Sequence, residues 1–158
     1  MIQTADVFCR VVDNLGDAGV CWRFTRQLAS EHHLTVRLWI DQPATLDAFV
    51  LGDGEEAALL ASMHIQVCDL VQASTALQPA DLVIETFGCD VPKPYAERIT
   101  QRSPPSLWYN LEYLSAEDWV EGCHALPSPH PSLPITRWFF FPGFTPKTGG
   151  LLREYGLL

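Results

Sequence analysis

The stretch DVFCRVV (residues 6–12), followed directly by DNLGDAG (residues 13–19), decides the fold of this chain. The first part is rich in β-branched and aromatic side chains, which predicts a buried strand. The second part contains two glycines and two aspartates, a composition typical of a turn. Apolar side chains then recur at spacing four, at Val20, Phe24 and Leu28. This spacing predicts a helix, so the chain begins as strand, turn and helix.

The same alternation continues along the chain. Further strands are predicted over residues 34–40, 65–68, 81–85, 106–110 and 136–141. Helical patterns lie between them, first in a region through Leu46, Phe49 and Val50 and then in a short helix over residues 55–62. Pro92 opens a third helix, which has Tyr95, Ala96 and Ile99 on one face. A fourth helix is predicted behind Ser115, and its apolar face consists of Ala116, Trp119, Val120 and Cys123. Near-continuous apolar strands that alternate with helices predict an α/β fold. The expected architecture is a Rossmann-like, doubly wound and mostly parallel sheet with helices on both faces.

Composition excludes several classes of protein. The 158 residues suit one domain, and 19 Asp and Glu against 10 Lys and Arg give a net charge of −9. Proteins that bind nucleic acid or a membrane surface need basic patches, so we expect neither partner. Apolar residues make up 47% of the chain, which excludes disorder. The five cysteines form no C-x-x-C pair and are expected to be buried thiols in the cytoplasm, with no disulfide and no metal site.

The predicted fold indicates where a ligand would bind. In doubly wound sheets, ligands bind beyond the carboxyl ends of the strands. That rule selects three loops: the one that begins at Asp13, TFGCD (residues 86–90) and NLEY (residues 110–113). We therefore expect the functional site to be built from these loops.

The first of these loops contains two carboxylates four residues apart, Asp13 and Asp17, with Gly16 between them. One interpretation is purely structural: Asn14 caps the helix, and Asp17 complements the positive N-terminal end of the helix dipole. The other is functional. A phosphate site is disfavoured, because the full G-x-G-x-x-G pattern is absent and the two aspartates would repel a phosphate. The functional interpretation therefore predicts a cationic or hydroxylic ligand.

The third loop contains a second candidate cluster. Glu112 and Tyr113 follow a strand end and could line a cleft, although an exposed glutamate in a loop is often only solvated. Ser115 begins an S-x-x-D pattern and is expected to cap a helix. Glu85 ends an apolar strand, where a carboxylate is either paired or close to a functional site.

Four long stretches resemble the signature segments of one family, the EarP protein-arginine rhamnosyltransferases of bacterial translation elongation factor P (EF-P). They are DVFCRVVDNLGDAGVCWR (residues 6–23), ETFGC (residues 85–89), YNLEYLSAEDW (residues 109–119) and FFPGFTPKTGGLLRE (residues 140–154). The resemblance runs from near residue 6 to the end of the chain, and motifs of this length are specific.

The resemblance implies half of a GT-B glycosyltransferase, which has two Rossmann-like domains facing a cleft. Residues 1–142 would form the N-terminal, acceptor-side domain, and residues 143–158 would begin the linker toward a C-terminal donor-binding domain. That second domain would hold most of the nucleotide sugar TDP-β-L-rhamnose, and no further cofactor is implied. The acceptor would be an arginine of EF-P, modified with inversion at the sugar carbon.

The resemblance also implies roles for individual residues. Asp13 and Asp17 match the family's aspartates. We assign Asp13 as the general base and Asp17 as its orienting partner, with the reverse assignment open. Asn14 and Gly16 would allow close approach of substrate, and Glu112 and Tyr113 would contact it.

Two other functions stay open: a small Rossmann-like nucleotide-binding or dehydrogenase domain, and a non-enzymatic protein-interaction module.

Overall fold

The computed structural model describes residues 1–49, 60, 62–75 and 78–155. Its strands are β1 (Thr4–Cys9), β2 (Thr35–Ile40), β3 (Ile65–Asp69), β4 (Leu82–Thr86), β5 (Leu107–Leu111), β6 (Pro127–Pro129) and β7 (Thr136–Phe140). The six predicted strands are confirmed, with ends that differ by at most three residues. The sequence pattern does not predict β6, because prolines are rare in strands. Prolines are tolerated there since β6 is an edge strand.

Within the described residues, the strands form one sheet in the order β3-β2-β1-β4-β5-β7-β6. Neighbouring strands are parallel except β6 and β7, which are antiparallel. The chain winds outward from β1 to β3 in one direction and from β4 to β7 in the other. The direction therefore reverses between β1 and β4, and such a switch point opens a crevice at the carboxyl ends of the strands.

One face of the sheet is covered by helix α1 (Asn14–Ser30). Its buried apolar side chains are Ala18, Cys21, Trp22, Leu28 and Ala29. The predicted stripe was therefore wrong in part: Leu28 is buried, but Val20 and Phe24 are only half-buried. The reason is that a spacing of four marks one flank of the helix, whereas the face against the sheet follows the 3.6-residue period.

The opposite face is covered by helix α2 (Lys93–Gln101) and by a 3-10 helix at Leu70–Thr75. In α2, Tyr95, Ala96 and Ile99 are buried, as predicted. They pack against Phe8 and other side chains of the sheet. Helices therefore lie on both faces, and the predicted doubly wound α/β fold is confirmed.

Two other predicted helices need correction. The segment behind Ser115 is a 3-10 helix at Asp118–Gly122 rather than an α-helix, and Val120 is its buried residue. Trp119 is 57% exposed and meets Phe141 edge-on, so the expected apolar face does not form. The region through Leu46 is also a 3-10 helix, at Pro43–Ala48.

The other helix predictions in this part of the chain are largely untested. Val50 and most of residues 55–62 lie outside the described residues.

A buried ion pair braces the sheet below α2. The Asp6 carboxylate is fully buried and accepts two hydrogen bonds of 2.6 Å from Arg37. It also accepts hydrogen bonds from the Trp39 indole, the Ala80 amide and the Tyr95 hydroxyl. Because both carboxylate oxygens of Asp6 accept several hydrogen bonds, the negative charge of Asp6 is tolerated inside the domain.

The last described segment, residues 151–155 and called the tail below, packs back along the exposed side of α1. Arg23 donates two hydrogen bonds to Glu154, at 2.6 and 2.7 Å, and Gln27 donates to the Arg153 carbonyl. The hydrogen bonds and charge of Arg23 lower the pKa of Glu154 to about 2. The tail is thereby tied to α1 as far as Tyr155, whose amide donates to Glu31.

The cysteines are free thiols; four are buried and Cys123 is half-buried. In the described part of the chain, every helix is too short or too polar to cross a membrane.

Candidate active site

The loops after β1, β4 and β5 meet at the carboxyl edge of the sheet, as the strand order predicts. These three strands are neighbours in the order β1-β4-β5 and run parallel, so their following loops lie side by side. Direct contacts between side chains join the loops. The resulting site is built around Asp17.

Asp17 is 2% exposed and lies in the first turn of α1. Its Oδ2 accepts hydrogen bonds of 2.9 Å from the amides of Val12 and Asp13. Its Oδ1 accepts a hydrogen bond of 2.9 Å from the Tyr113 hydroxyl, which comes from the loop after β5. The helix N-terminus also favours a negative charge here. The buried Asp17 carboxylate therefore fixes the backbone of Val12 and Asp13.

The same backbone is held by a second carboxylate. The Val11 amide donates to Asp41 Oδ1 at 2.9 Å, so three successive amides, those of residues 11–13, are bonded to side-chain carboxylates. Loops that bind phosphate present such amides to the ligand. Since these three amides are already bonded within the protein, they are not available to a phosphate. This arrangement disfavours the nucleotide-binding alternative at this loop.

Asp13, in contrast, is exposed. It is the N-cap residue of α1, yet its side chain makes no capping hydrogen bond. The interpretation that Asn14 caps the helix is therefore wrong, because Asn14 is the first residue of the helix itself. Within the described residues, its carboxylate has no hydrogen-bond partner. A carboxylate with free lone pairs at the crevice can bind a donor or accept a proton.

Gly16 leaves the space that the Asp13 carboxylate occupies. A Cβ added at Gly16 would lie 2.6 Å from Asp13 Oδ2 and 3.3 Å from Asp13 Cγ. Both distances are shorter than the ordinary van der Waals contacts of a Cβ atom, which are 3.4–4 Å. The glycine is therefore needed for the position of Asp13, not for a left-handed turn.

An aromatic pair forms one wall of the site. The rings of Phe87 and Tyr113 are stacked, with centroids 4.0 Å apart and planes 6° apart. Phe87 follows β4 and has a left-handed φ of 54°, which turns the chain sharply at this point. Desolvation of the Tyr113 hydroxyl, its hydrogen bond to Asp17 and the charges of Asp17 and Asp13 raise the pKa of Tyr113 to about 12. Tyr113 therefore stays neutral and donates to Asp17.

Glu112, directly before Tyr113 in the chain, extends the site. Its carboxylate accepts a hydrogen bond from the Asn110 side-chain amide, and Asn110 in turn accepts one from the Gly88 amide at 3.2 Å. Glu112 and Tyr113 also line a cavity of about 380 Å³ between α1, the loop after β5 and the tail. The prediction that these two residues line a cleft is confirmed.

Glu85 has a structural partner. It is 1% exposed and pairs with Arg137 at 3.0 Å, and it accepts the Asp90 amide at 3.2 Å. Of the two interpretations of Glu85, a paired carboxylate or one close to a functional site, the structure supports the paired carboxylate.

Ser115 does not cap a helix, contrary to the prediction. Its hydroxyl accepts a hydrogen bond from the Glu117 amide in a local turn.

The structure brings most of the predicted site residues together. Asp13, Gly16 and Asp17 lie in one loop and helix turn, with Tyr113 bonded to Asp17 and Glu112 next to it. Asn14 is the first residue of α1, and its side chain lies outside what the structure describes.

The sequence pattern selected the loop that contains Phe87 but did not single out this residue, whose signal was an aromatic side chain directly before glycine at a strand end. Asp41 was visible as a carboxylate directly after β2, but its hydrogen bond to the loop after β1 was not predicted.

This sheet order, with acidic residues at its switch point, defines a Rossmann-like α/β domain, a class of fold that binds ligands at the carboxyl edge of its sheet. Comparison with known proteins specifies the family. Residues 5–158 match the family described as "Elongation-Factor P (EF-P) rhamnosyltransferase EarP", and the chain belongs to this family.

Its relatives include proteins named protein-arginine rhamnosyltransferase. That of Pseudomonas putida is 52% identical over 158 residues, which are 100% of this chain and 42% of that protein. That of Pseudomonas aeruginosa is 47% identical over 97% of this chain and 40% of its own length. That of Shewanella oneidensis is 43% identical over 94% of this chain and 39% of its own length. The chain thus spans about two fifths of the length of these relatives.

Proposed function

We propose that this chain is the N-terminal, acceptor-side domain of an inverting GT-B glycosyltransferase. The enzyme transfers L-rhamnose from TDP-β-L-rhamnose to a guanidine nitrogen of an arginine on EF-P, in the cytoplasm. Family membership over residues 5–158 and the names of the relatives support this activity. The structural observation that carries it is the exposed Asp13 carboxylate at the switch point, on a backbone whose amide donates to the buried Asp17.

An acidic site suits this acceptor for a chemical reason. Arginine is protonated at physiological pH and its lone pairs are delocalised, so it is a poor nucleophile. A carboxylate that accepts hydrogen bonds from the guanidinium can orient it and compensate its charge. The same carboxylate can take the proton as the bond between nitrogen and the sugar carbon forms.

We assign the general base to Asp13. Its carboxylate has no partner within the described residues, whereas both oxygens of Asp17 already accept hydrogen bonds. In the reaction, the guanidine nitrogen attacks the anomeric carbon, the bond from that carbon to the TDP oxygen breaks, and TDP departs. Asp13 receives the nitrogen's proton. Asp17 positions Asp13, because it binds the amide of Asp13 itself.

The remaining site residues support binding of the acceptor. Gly16 leaves room for the Asp13 carboxylate, and the helix start at Asn14 lies beside it. Glu112 and Tyr113 line the cavity next to the site, where an acceptor loop would enter. The donor nucleotide would be held mainly by the rest of the enzyme, since the amides of residues 11–13 are bonded to Asp17 and Asp41.

The test uses a hybrid enzyme, in which residues 1–158 replace the matching segment of the Pseudomonas putida relative. The hybrid enzyme is incubated with TDP-rhamnose and EF-P, and the mass of EF-P is measured and its modified residue mapped. We expect one added rhamnose on one arginine, and no addition to EF-P in which that arginine is replaced by lysine. No transfer, with the parent Pseudomonas putida protein active in parallel, or transfer to another residue type, would contradict the proposal.

A further inference from the structure

The Phe87–Tyr113 stack leaves one aromatic face available beside the carboxylates. Phe87 covers one face of Tyr113 at a centroid distance of 4.0 Å, yet Tyr113 is still 50% exposed. One face is covered, so the exposed area belongs to the ring edge and the opposite face. The tyrosine therefore presents a flat aromatic surface to the crevice.

This surface is held in a fixed orientation. The hydroxyl of Tyr113 donates to Asp17 at 2.9 Å, and the near-parallel contact with Phe87 fixes the plane of the ring. The Asp13 amide and the Tyr113 hydroxyl donate to the two oxygens of the same Asp17 carboxylate, each at 2.9 Å. The ring and Asp13 are therefore neighbours in one site.

We propose that the outer face of Tyr113 is the platform on which the acceptor's guanidinium stacks, with Asp13 accepting hydrogen bonds from the edge of that guanidinium. This inference rests on the proposed function, which it deepens by naming the group that binds the acceptor. A planar guanidinium stacks on aromatic faces through cation–π and dispersion attraction, while its N–H groups point outward in its plane. Stacking therefore directs those N–H groups sideways, toward a carboxylate beside the ring.

Two substitutions separate the platform from the hydrogen bond. Tyr113→Phe removes the hydroxyl and keeps the ring, whereas Tyr113→Leu removes both. Because both variants lack the hydrogen bond to Asp17, any difference between them reports the ring alone. Tyr155→Leu is the control for loss of an exposed tyrosine, since Tyr155 is 96% exposed and belongs to the tail.

The experiment measures kcat and KM for EF-P with the hybrid enzyme. We expect Tyr113→Leu to raise KM for EF-P about 3- to 30-fold relative to Tyr113→Phe, the range expected for loss of one cation–π contact. Tyr155→Leu should leave KM unchanged. Equal KM values for the Phe and Leu variants would overturn the platform while leaving the proposed function intact. A parent hybrid enzyme that transfers no rhamnose to arginine would overturn both.

Discussion

Replacing Gly16 by alanine should separate the position of Asp13 from the stability of the domain. The added Cβ would lie 2.6 Å from Asp13 Oδ2, whereas ordinary contacts begin near 3.4 Å. The carboxylate must therefore move by about 0.8 Å. Displacement of a reacting group by roughly 1 Å can cost about 100-fold in rate, so we expect kcat to fall about 10- to 100-fold.

Stability should not fall in the same variant. The atom that must move is the end of an exposed side chain, which can rotate away at little cost. Alanine is also favoured over glycine within a helix by about 0.5–1 kcal/mol. We therefore expect the free energy of unfolding of Gly16→Ala to be unchanged or higher by up to about 1 kcal/mol.

The assay combines rhamnose transfer by the hybrid enzyme with urea unfolding of the chain. Gly122→Ala is the matched control, because its added Cβ would meet open space among the described residues, beyond its own chain neighbours. That control should keep full kcat. Normal kcat in Gly16→Ala, or a loss of stability in step with activity, would contradict the role of Gly16 in positioning Asp13.

Three further predictions concern stability, pH and the isolated chain. Arg37→Met leaves the buried Asp6 carboxylate without its ion-pair partner and should lower the free energy of unfolding by about 3–5 kcal/mol, whereas Tyr95→Phe, which removes one hydrogen bond to that charge, should cost about 1.5–3 kcal/mol. Urea titrations measure both, and equal effects would argue against the ion pair as the main contributor.

The folded-state pKa of Tyr113 is about 12 against 10.0 for a free tyrosine, so its contribution to stability is present below pH 10 and lost as pH rises through 12. Tyr113→Phe should remove the part of the fall in unfolding free energy that comes from Tyr113. Identical curves of unfolding free energy against pH for the two proteins between pH 9 and 12 would contradict the hydrogen bond to Asp17. The chain of residues 1–158 alone should transfer no rhamnose and should bind TDP-rhamnose weakly; tight binding in calorimetry would contradict donor binding by the rest of the enzyme.

Much of the fold was predictable because it depends on local pattern. Strands such as Thr35–Ile40 are near-continuous apolar runs, and burial on both faces requires that composition. The α-helix predicted behind Ser115 does not form, although apolar residues recur there at helical spacing. Glu117 is extended, with ψ of 136°, and Trp119 packs edge-on against Phe141 of a distant segment. Spacing along the chain cannot show such a tertiary contact.

The candidate site was predictable in part. The rule that ligands bind at the carboxyl ends of strands selected the three loops that the structure joins. The different environments of Asp13 and Asp17 were not predictable, because they depend on Tyr113, which is 96 positions away from Asp17. The stack with Phe87 likewise depends on how two loops pack, and no spacing in the sequence encodes it.

The assignment of Asp13 as the general base is tested most directly by kcat of the hybrid enzyme with Asp13→Asn. Asparagine has nearly the same shape but cannot accept the proton, so we expect kcat to fall about 100- to 10,000-fold, the usual contribution of a general base. Because the Asp13 carboxylate is exposed and unpaired within the described residues, the unfolding midpoint should stay unchanged. Transfer at a near-normal rate by Asp13→Asn would contradict the assignment of Asp13 as the base.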